Sequence, residues 1–187
     1  MRMRYTWLAV ICLAAGAVVL AQAAPAFADF VGPIQVTDAP TSGGHAEVLN
    51  ANYCGNPAHI IEYPYGPTYC SGGGSNEIWD VRNGASGTST PIYANYNGNR
   101  MCMNVTNNKY SSGTIIQTWN CNNGYTNNDW FTWYCNALVM KGCWIEPTYE
   151  PAGANLCFNV AGGFGTGHNI ILYSCNLGYA NEEFNEN

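Results

Sequence analysis

The segment Gly113-Thr114-Ile115-Ile116-Gln117-Thr118-Trp119-Asn120-Cys121 follows Cys102-Met103-Asn104-Val105, and both recur in altered form further along the chain. Their counterparts are Gly167-His168-Asn169-Ile170-Ile171-Leu172-Tyr173-Ser174-Cys175 and Cys157-Phe158-Asn159-Val160. The two cysteines lie 19 positions apart in the first copy and 18 in the second. Short β-branched and aromatic runs between Gly and Asn clusters are typical of strands and turns. The chain is therefore predicted to be all-β and internally repeated.

Each copy ends in a motif of two polar residues, any residue and an aromatic, and this motif occurs three times. The occurrences are Asn76-Glu77-Ile78-Trp79, Asn127-Asn128-Asp129-Trp130 and Asn181-Glu182-Glu183-Phe184. Their aromatic residues lie 51 and 54 positions apart (79 to 130 and 130 to 184). A regular period across a small chain is the signature of a repeat architecture. We expect three repeats, at roughly 34–79, 80–130 and 131–187.

The first repeat is the most divergent of the three. His45-Ala46-Glu47-Val48 is predicted to take the place of the Cys-x-Asn-Val strands, and His59-Ile60-Ile61-Glu62-Tyr63 that of the Ile-rich strands. Its cysteines fall elsewhere, and Tyr63 lies 16 positions before Trp79, compared with 11 in the other two repeats. A loop insertion is expected between Tyr63 and Trp79.

The first 28 residues have the composition of a secretory signal peptide. Arg2 and Arg4 give a charged start, Leu8–Leu20 is an apolar run, and Ala26-Phe27-Ala28 fits a cleavage site. An uncleaved membrane anchor is the alternative interpretation. The remaining 159 residues, 29–187, contain no second long apolar run. We expect them to form one domain that is secreted and does not bind membranes.

The charge balance narrows the choice of partners. Two of the six Lys and Arg lie in the leader and all 12 Asp and Glu follow it, so the rest of the chain carries a formal charge of −8 (4 − 12). Such an acidic surface argues against nucleic acid and anionic membranes. Asn, Ser, Thr and Tyr supply most of the polarity, and they suit neutral, hydroxyl-rich ligands. A loop-rich β protein with no such ligand has the same composition.

The cysteines indicate disulfides. One of the nine lies in the leader, and an even number in an exported domain is typical of a disulfide framework. The repeat spacing favours Cys102 with Cys121 and Cys157 with Cys175, which leaves Cys135 with Cys143 and Cys54 with Cys70 as local pairs. Zinc is the alternative, but no C-x-x-C motif occurs and the three histidines are scattered.

The repeated residues resemble the ricin-type β-trefoil lectin family over essentially the whole chain after the leader. That family has a Cys-x-Asp-Val strand, a Gln-x-Trp strand before a second Cys, and a closing Asn-Gln-x-Trp. The resemblance implies a β-trefoil of three pseudo-symmetric repeats. It also implies that the closing aromatics Trp79, Trp130 and Phe184 pack in a shared core.

The resemblance places one shallow sugar pocket in each repeat, with Tyr63, Trp119 and Tyr173 as the floors. The implied polar contacts are Asn104, Gln117, Asn127 and Asn128 in the second repeat, Asn159, Asn181 and Glu182 in the third, and Glu47, Asn76 and Glu77 in the first. The second repeat is the best candidate because its polar set is the most complete.

Asn104 and Asn159 stand where the family has an aspartate. An amide accepts through one oxygen only, which weakens a galactose-type contact. A structural role at the strand end is the alternative for both residues. Asn104-Val105-Thr106 is also an acceptor triplet for N-glycosylation, which would block the pocket.

We expect a secreted lectin that binds a galactose-type sugar or a polysaccharide, with no catalysis and no cofactor or metal. The acids Asp129, Glu182, Glu183 and Glu186 are conceivable as a hydrolase pair, but surface acids near a chain end are usually solvated. The alternative function is a degenerate trefoil that binds proteins or inhibits a protease through its loops, including the Cys135–Cys143 loop.

Overall fold

The computed structural model describes residues 29–66, 69–82, 86–135, 142–176 and 179–186. The predicted signal peptide, residues 1–28, lies outside these ranges. The strands are β1 (Phe30–Gly32), β2 (Ile34–Val36), β3 (Glu47–Ala51), β4 (Ile60–Pro64), β5 (Trp79–Val81), β6 (Ser89–Tyr96), β7 (Asn99–Val105), β8 (Ile116–Asn120), β9 (Trp130–Cys135), β10 (Cys143–Pro147), β11 (Leu156–Val160), β12 (Ile170–Ser174) and β13 (Phe184–Glu186). Single 3-10 turns cover Asn52–Cys54, Thr106–Asn108, Asn127–Asp129 and Ala180–Glu182. None of the helices in the described ranges is long and apolar enough to span a bilayer.

Seven of these strands close into a barrel. Hydrogen-bonded neighbours follow the order β1, β5, β6, β9, β10, β13 and β2, and every pair is antiparallel. Only Pro33 separates β1 from β2 along the chain, so the two act as one strand that joins both ends of the ring. Proline lacks the amide hydrogen that pairing needs, which explains the break at this position.

The other strands form three hairpins, β3–β4, β7–β8 and β11–β12. Each hairpin contacts both of the others through one bridge, and the bridges are His59 with Gln117, Ile61 with Asn169, and Ile115 with Ile171. Three hairpins that touch pairwise in this way are related by a pseudo-threefold axis. The four-strand unit of barrel strand, hairpin and barrel strand occurs three times, and this is the β-trefoil that the sequence predicts.

The pairing register makes the hairpins equivalent residue by residue. Tyr63, Trp119 and Tyr173 lie opposite Val48, Cys102 and Cys157. Two positions away, Ile61, Gln117 and Ile171 lie opposite Asn50, Asn104 and Asn159. Asn50 is therefore the first-repeat counterpart of Asn104. The assignment of that position to Glu47 was wrong by three residues, because β3 has no cysteine to mark the register.

The shared core contains Trp79, Phe131 and Phe184, all of which are fully buried. The Phe158 ring joins the last two, with ring centroids 4.9 Å from Phe131 and 6.3 Å from Phe184. Large buried aromatics of this kind dominate the energetics of a core. Two of the three closing aromatics thus pack as predicted.

The prediction for Trp130 was wrong. Trp130 is only half-buried, and its ring packs edge-on against Tyr125 at 5.8 Å. The polar pair that corresponds to Asn76-Glu77 and Asn181-Glu182 is Asn128-Asp129, so the equivalent aromatic is Phe131. A shift of one residue in a strand moves a side chain to the opposite face, which places Trp130 outside the core.

Four disulfides link Cys54 to Cys70, Cys102 to Cys121, Cys135 to Cys143, and Cys157 to Cys175. The second and fourth are the pairs that the repeat spacing favours, and the other two are the predicted local pairs. Since each sulfur is bonded to another, the cysteines offer no thiolate to a metal. This includes Cys157 and Cys175, whose sulfurs lie 3.9 and 3.8 Å from Glu146 Oε1.

Candidate functional site

A buried amide–carboxylate pair supports each repeat. Asn50 Nδ2 donates to Glu77 Oε1 at 2.7 Å, Asn104 Nδ2 to Asp129 Oδ1 at 2.7 Å, and Asn159 Nδ2 to Glu182 Oε1 at 3.1 Å. All six residues are buried. Hydrogen bonds to a charged group are stronger than neutral ones, and breaking one in a buried site leaves a desolvated charge. The pairs are therefore structural supports that fix each hairpin to the turn beside it.

The second oxygen of each carboxylate holds the backbone of the loop that leads from the hairpin to it. Glu77 Oε2 accepts from the Gly66 amide at 3.2 Å, Asp129 Oδ2 from the Thr126 amide at 2.7 Å, and Glu182 Oε2 from the Asn176 amide at 2.8 Å. Glu182, which was predicted to contact a ligand, thus has both oxygens engaged beneath the surface. The same holds for Glu77, so the acid of each pair does not face a ligand.

Burial raises the pKa of Glu77 and of Glu182, and the hydrogen bonds that these carboxyls accept oppose the rise. A raised carboxyl pKa is one feature of a glycosidase acid, which must also reach a substrate in a cleft. Here each carboxyl is covered and fully hydrogen-bonded inside its own repeat. The raised pKa values of Glu77 and Glu182 therefore follow from their burial as structural supports and do not indicate a catalytic acid.

A second amide in each repeat links the turn to the hairpin. Asn76, Asn128 and Asn181 donate through Nδ2 to the carbonyls of Ala51, Val105 and Val160 at 2.9, 3.2 and 3.3 Å. In the first and third repeats this amide also donates to Asn50 or Asn159 Oδ1, at 3.0 and 3.2 Å. In the second repeat the amide that approaches Asn104 Oδ1 is Gln117 Nε2, at 3.4 Å.

The three predicted floor aromatics are all solvent-exposed. Trp119 is 51% exposed, Tyr173 47% and Tyr63 44%. Most other large apolar side chains of the hairpins are buried, so three exposed rings at one register position are a repeated surface feature. Their equivalence follows from the strand register and does not depend on the type of aromatic residue.

The second repeat has a cleft of about 530 Å³ above its floor. The lining residues are Asn104, Asn107, Asn108, Gln117, Trp119, Thr126, Asn127 and Asn128. The structure thus brings together in one cleft all five second-repeat residues that the sequence predicted. Asn104 is only 4% exposed and therefore lies at the bottom of the cleft.

Asn107, Asn108 and Thr126 line the same cleft and were missed from the sequence. Asn107 and Asn108 have φ values of 56° and 54°, in the left-handed region that asparagine tolerates better than most residues. The Asn-Asn dipeptide directly after a strand was the available signal. Thr126 caps the turn of Asn127–Asp129, and its hydroxyl also donates to Asn128 Oδ1.

The first repeat has a smaller cleft of about 400 Å³. It is lined by Asn50, Asn52, Tyr53, Ile61, Tyr63, Asn76 and Gly167. Tyr53 is 92% exposed and occupies the left-handed turn position that Asn107 has in the second repeat. Glu47 does not line this cleft, and its Oε1 instead accepts from the hydroxyl of Thr166 at 3.1 Å.

The third repeat has the same buried asparagine–carboxylate pair, but the residues around its exposed Tyr173 differ from those around Trp119. Asn159 is buried and Asn181 is half-buried, and they are linked to each other and to Glu182 as described above. Ile171 stands opposite Asn159 where the second repeat has Gln117. The exposed Tyr173 therefore lies beside an aliphatic residue and not beside an amide.

The sequence motif for N-glycosylation at Asn104 is not presented by the fold. The nitrogen that would carry a glycan is Nδ2, and this atom donates to Asp129 Oδ1 inside the buried pair. Attachment to the folded chain would require this side chain, which is only 4% exposed, to leave the interior. The cleft is thus left open by the folded chain.

Three solved structures have the same fold. A designed threefold-symmetric protein, ThreeFoil, has a TM-score of 0.61 and 17% identity over 83% of this chain and 96% of its own. A Polyporus squamosus lectin, bound to a human-type influenza-binding epitope, has a TM-score of 0.59 and 11% identity over 84% of this chain. The match covers 48% of that lectin, so the chain spans about half of its length.

The third is a ricin B-like lectin of Macrolepiota procera in complex with lactose, with a TM-score of 0.52 and 14% identity over 85% of this chain and 95% of its own. No protein-family model and no curated protein matches the chain in sequence. At these identities the likeness shows the β-trefoil fold. A ricin B-like lectin among the matches agrees with the resemblance found in the repeats.

Proposed function

We propose that the protein is a lectin that binds carbohydrate through the second-repeat cleft and carries out no chemistry there. The observation that carries the proposal is the half-exposed indole of Trp119 at the floor of a cleft whose other lining residues are amides and one hydroxyl. A pyranose ring has one face of C–H groups, which a flat aromatic ring desolvates. Its hydroxyls point to the sides, where donors and acceptors are needed.

The rim of the cleft matches such a ligand in its chemistry. Asn107, Asn108 and Asn127 are exposed, and each amide offers both donors and an acceptor. Gln117 is partly exposed, and its Nε2 makes only a long bond of 3.4 Å to Asn104. None of the described residues that line the cleft is charged, which favours a neutral sugar.

The neighbouring structures support a galactose-type sugar. The Macrolepiota lectin is described in complex with lactose, which ends in galactose, and the Polyporus lectin with a sialylated galactose epitope. A single shallow cleft binds weakly, so useful affinity would come from several sites on one polysaccharide. Four disulfides and the predicted signal peptide support secretion. The formal charge of −8 (4 − 12) after the leader argues against nucleic acid and anionic membranes as partners.

The test is a glycan panel probed with the wild-type protein and with Trp119→Ala. We expect binding to galactose-containing glycans that the substitution removes. Tyr149→Ala is the matched control, because Tyr149 is 50% exposed but does not line the cleft. Wild-type protein that binds no glycan would refute the proposal and favour the alternative, a trefoil that binds proteins or inhibits a protease.

A further inference from the structure

The outer face of the second repeat continues beyond the floor of the cleft. Trp119 lies opposite Cys102, and Cys102 lies opposite Tyr93 on the next strand. Residues directly opposite each other in an antiparallel pair project on the same side of the sheet. Trp119, the disulfide of Cys102 and Tyr93 therefore follow one another across β8, β7 and β6. Adjacent strands are about 4.8 Å apart, so Tyr93 is about 10 Å from Trp119.

Two arginines converge on Tyr93. The guanidinium carbon of Arg100 lies 4.8 Å from the centre of the Tyr93 ring, and that of Arg82 lies 5.9 Å from it. Stacking on an aromatic face fixes a guanidinium that would otherwise be mobile. The hydroxyl of Tyr93 donates to Asp80 Oδ2 at 2.7 Å, so the two guanidiniums and one carboxylate around this side chain sum to a single positive charge.

The two arginines differ in their remaining partners. Arg82 is paired with Asp80 through two bonds, Nε to Oδ1 at 3.2 Å and Nη2 to Oδ2 at 3.3 Å. Arg100 donates to the hydroxyl of Tyr125 at 3.1 Å and has no ion pair among the described residues. The charge of Arg100 is therefore held in place and not neutralised.

Arg100 lies in a cleft of about 590 Å³ at the tip of this face. Among the residues that the structure describes, it is the only charged one in the lining, and the others are Gly72, Gly73, Gly74, Asn95, Tyr96, Gly98, Asn99 and Asn122. Gly72, Gly73 and Gly74 form one wall of the cleft. Glycine is required at Gly74, where φ is +82° and a Cβ would lie 1.7 Å from the carbonyl oxygen of Asn95. A side chain there would push the loop off β6 and open the cleft.

The amides of this cleft are locked in position. Asn122 Oδ1 accepts from the Arg100 backbone amide at 2.7 Å, and Asn122 Nδ2 donates to Asn99 Oδ1 at 2.8 Å. Asn99 Nδ2 in turn donates to the Asn97 carbonyl at 2.9 Å. The cleft is therefore preorganised, which lowers the cost of binding.

We propose that Arg100 binds the carboxylate of an acidic sugar residue, in the same glycan from which another residue stacks on Trp119. This inference rests on the proposed lectin function and specifies its substrate class as a glycan that carries a carboxylate, for which a uronate serves as the probe. A guanidinium matches the two oxygens of a carboxylate, and Arg100 has N–H groups besides the one that bonds Tyr125. Since Arg100 is exposed, the gain in affinity should be modest and sensitive to salt.

The test compares trigalacturonate with its methyl ester, which has the same rings but no charge. We expect the wild-type protein to bind the acid about fivefold more tightly at low salt, the upper range for an exposed ion pair. The preference should disappear in Arg100→Gln and at high salt. Arg82→Gln is the matched control, because Arg82 stacks on the same ring but is already paired, and it should keep the preference.

The outcomes separate the inference from the function on which it rests. Equal binding of acid and ester, a preference that persists in Arg100→Gln, or binding of neutral galactosides but of neither form would overturn the Arg100 subsite alone. Failure of every glycan, neutral or acidic, would overturn the lectin function and the subsite with it.

Discussion

The clefts of the first and second repeats have the same foundation and different rims. Beneath each lies an asparagine bonded to a buried carboxylate, Asn50 with Glu77 and Asn104 with Asp129, at 2.7 Å in both. Above it stands an exposed aromatic on the same register position. At the rim, however, Ile61 and Tyr53 replace the amides Gln117 and Asn107.

This difference shows which residues maintain the fold and which are available to a ligand. The buried pair is present in all three repeats because each hairpin needs its turn fixed, whatever the surface does. The rim has diverged because its side chains make few contacts within the fold, such as the long bond of 3.4 Å from Gln117 Nε2 to Asn104 Oδ1. Substitutions at the rim therefore change binding, whereas substitutions in the buried asparagine–carboxylate pair would change stability.

The largest effect should come from removing a support. Asn104→Leu and Asn50→Leu should each lower the free energy of unfolding by about 3 kcal/mol, because each leaves a buried carboxylate oxygen without its donor. Urea denaturation measures both, and Asn127→Leu at an exposed rim position should cost little. A normal stability combined with lost glycan binding in Asn104→Leu would contradict the supporting role.

Replacing the floor aromatics should lower glycan affinity much more at the second-repeat cleft than at the first. Trp119→Ala should weaken glycan binding by about 2 kcal/mol, or about 30-fold, as expected for an aromatic anchor. Tyr63→Ala should change the affinity by less than a factor of about two, since its cleft has fewer amides at the rim. Titration calorimetry with the best glycan of the panel gives both values. Equal losses would mean that the first cleft contributes as much as the second.

Exchanging one rim residue should shift the balance between the clefts. Gln117→Ile should weaken binding at the second cleft by about 1 kcal/mol, the net value of one hydrogen bond. The reciprocal Ile61→Gln should strengthen binding at the first by a similar amount or raise the number of occupied sites. Both are read from the same titrations. If neither exchange moves the affinity, the rim amides are not what distinguishes the clefts.

The smallest effect should come from Glu62, a buried carboxyl in the first-repeat hairpin whose equivalents in the other two hairpins are uncharged. Glu62 is fully buried at the register position of Thr118 and Leu172. Burial foremost, and the nearby Glu47, raise its pKa, and the Gly165 amide opposes this. A pKa that is higher in the folded state than in the unfolded one means that stability is lost as pH rises from about 4.5 through the folded value.

Glu62→Gln removes that charge and keeps an acceptor for the Gly165 amide, which donates to Glu62 Oε2 at 2.6 Å. It should raise the melting temperature at pH 7 by about 2 °C, less than 1 kcal/mol in a domain of this size. The gain should vanish near pH 4, where both forms are neutral at this position. Thermal scans across this pH range would contradict the account if the substitution were equally destabilising at both ends.

The sequence predicts the trefoil because its second and third repeats keep the same order of motifs, with matching spacing of their cysteines and of Trp119 and Tyr173. The first-repeat elements and the remaining two disulfides follow from this frame. The prediction fails where a residue matches the motif in type but lies on the other side of the strand. Trp130 matches the closing motif in residue type, but the strand begins one residue out of step and places Phe131 in the core. Glu47 precedes Val48 as Asn104 precedes Val105, but strand pairing gives the position to Asn50.

Other site residues depend on contacts that no local pattern contains. Tyr53 reaches the first-repeat cleft because it adopts a left-handed turn, with φ of 55°. Gly167 reaches the same cleft from the third repeat. Arg100 was not singled out because its significance lies in what surrounds it, namely the Tyr93 ring and the absence of an ion pair among the described residues.

The central claim is that the second-repeat cleft receives a sugar on Trp119, and the most direct measurement is a two-dimensional 1H–15N NMR titration with lactose. The indole N–H of Trp119 and the side-chain amides of Gln117 and Asn127 should shift in a saturable manner. The indole N–H of the buried Trp79, which donates to the Leu49 carbonyl at 2.8 Å, should stay in place. Saturable shifts confined to another surface, with Trp119 unmoved, would contradict the claim.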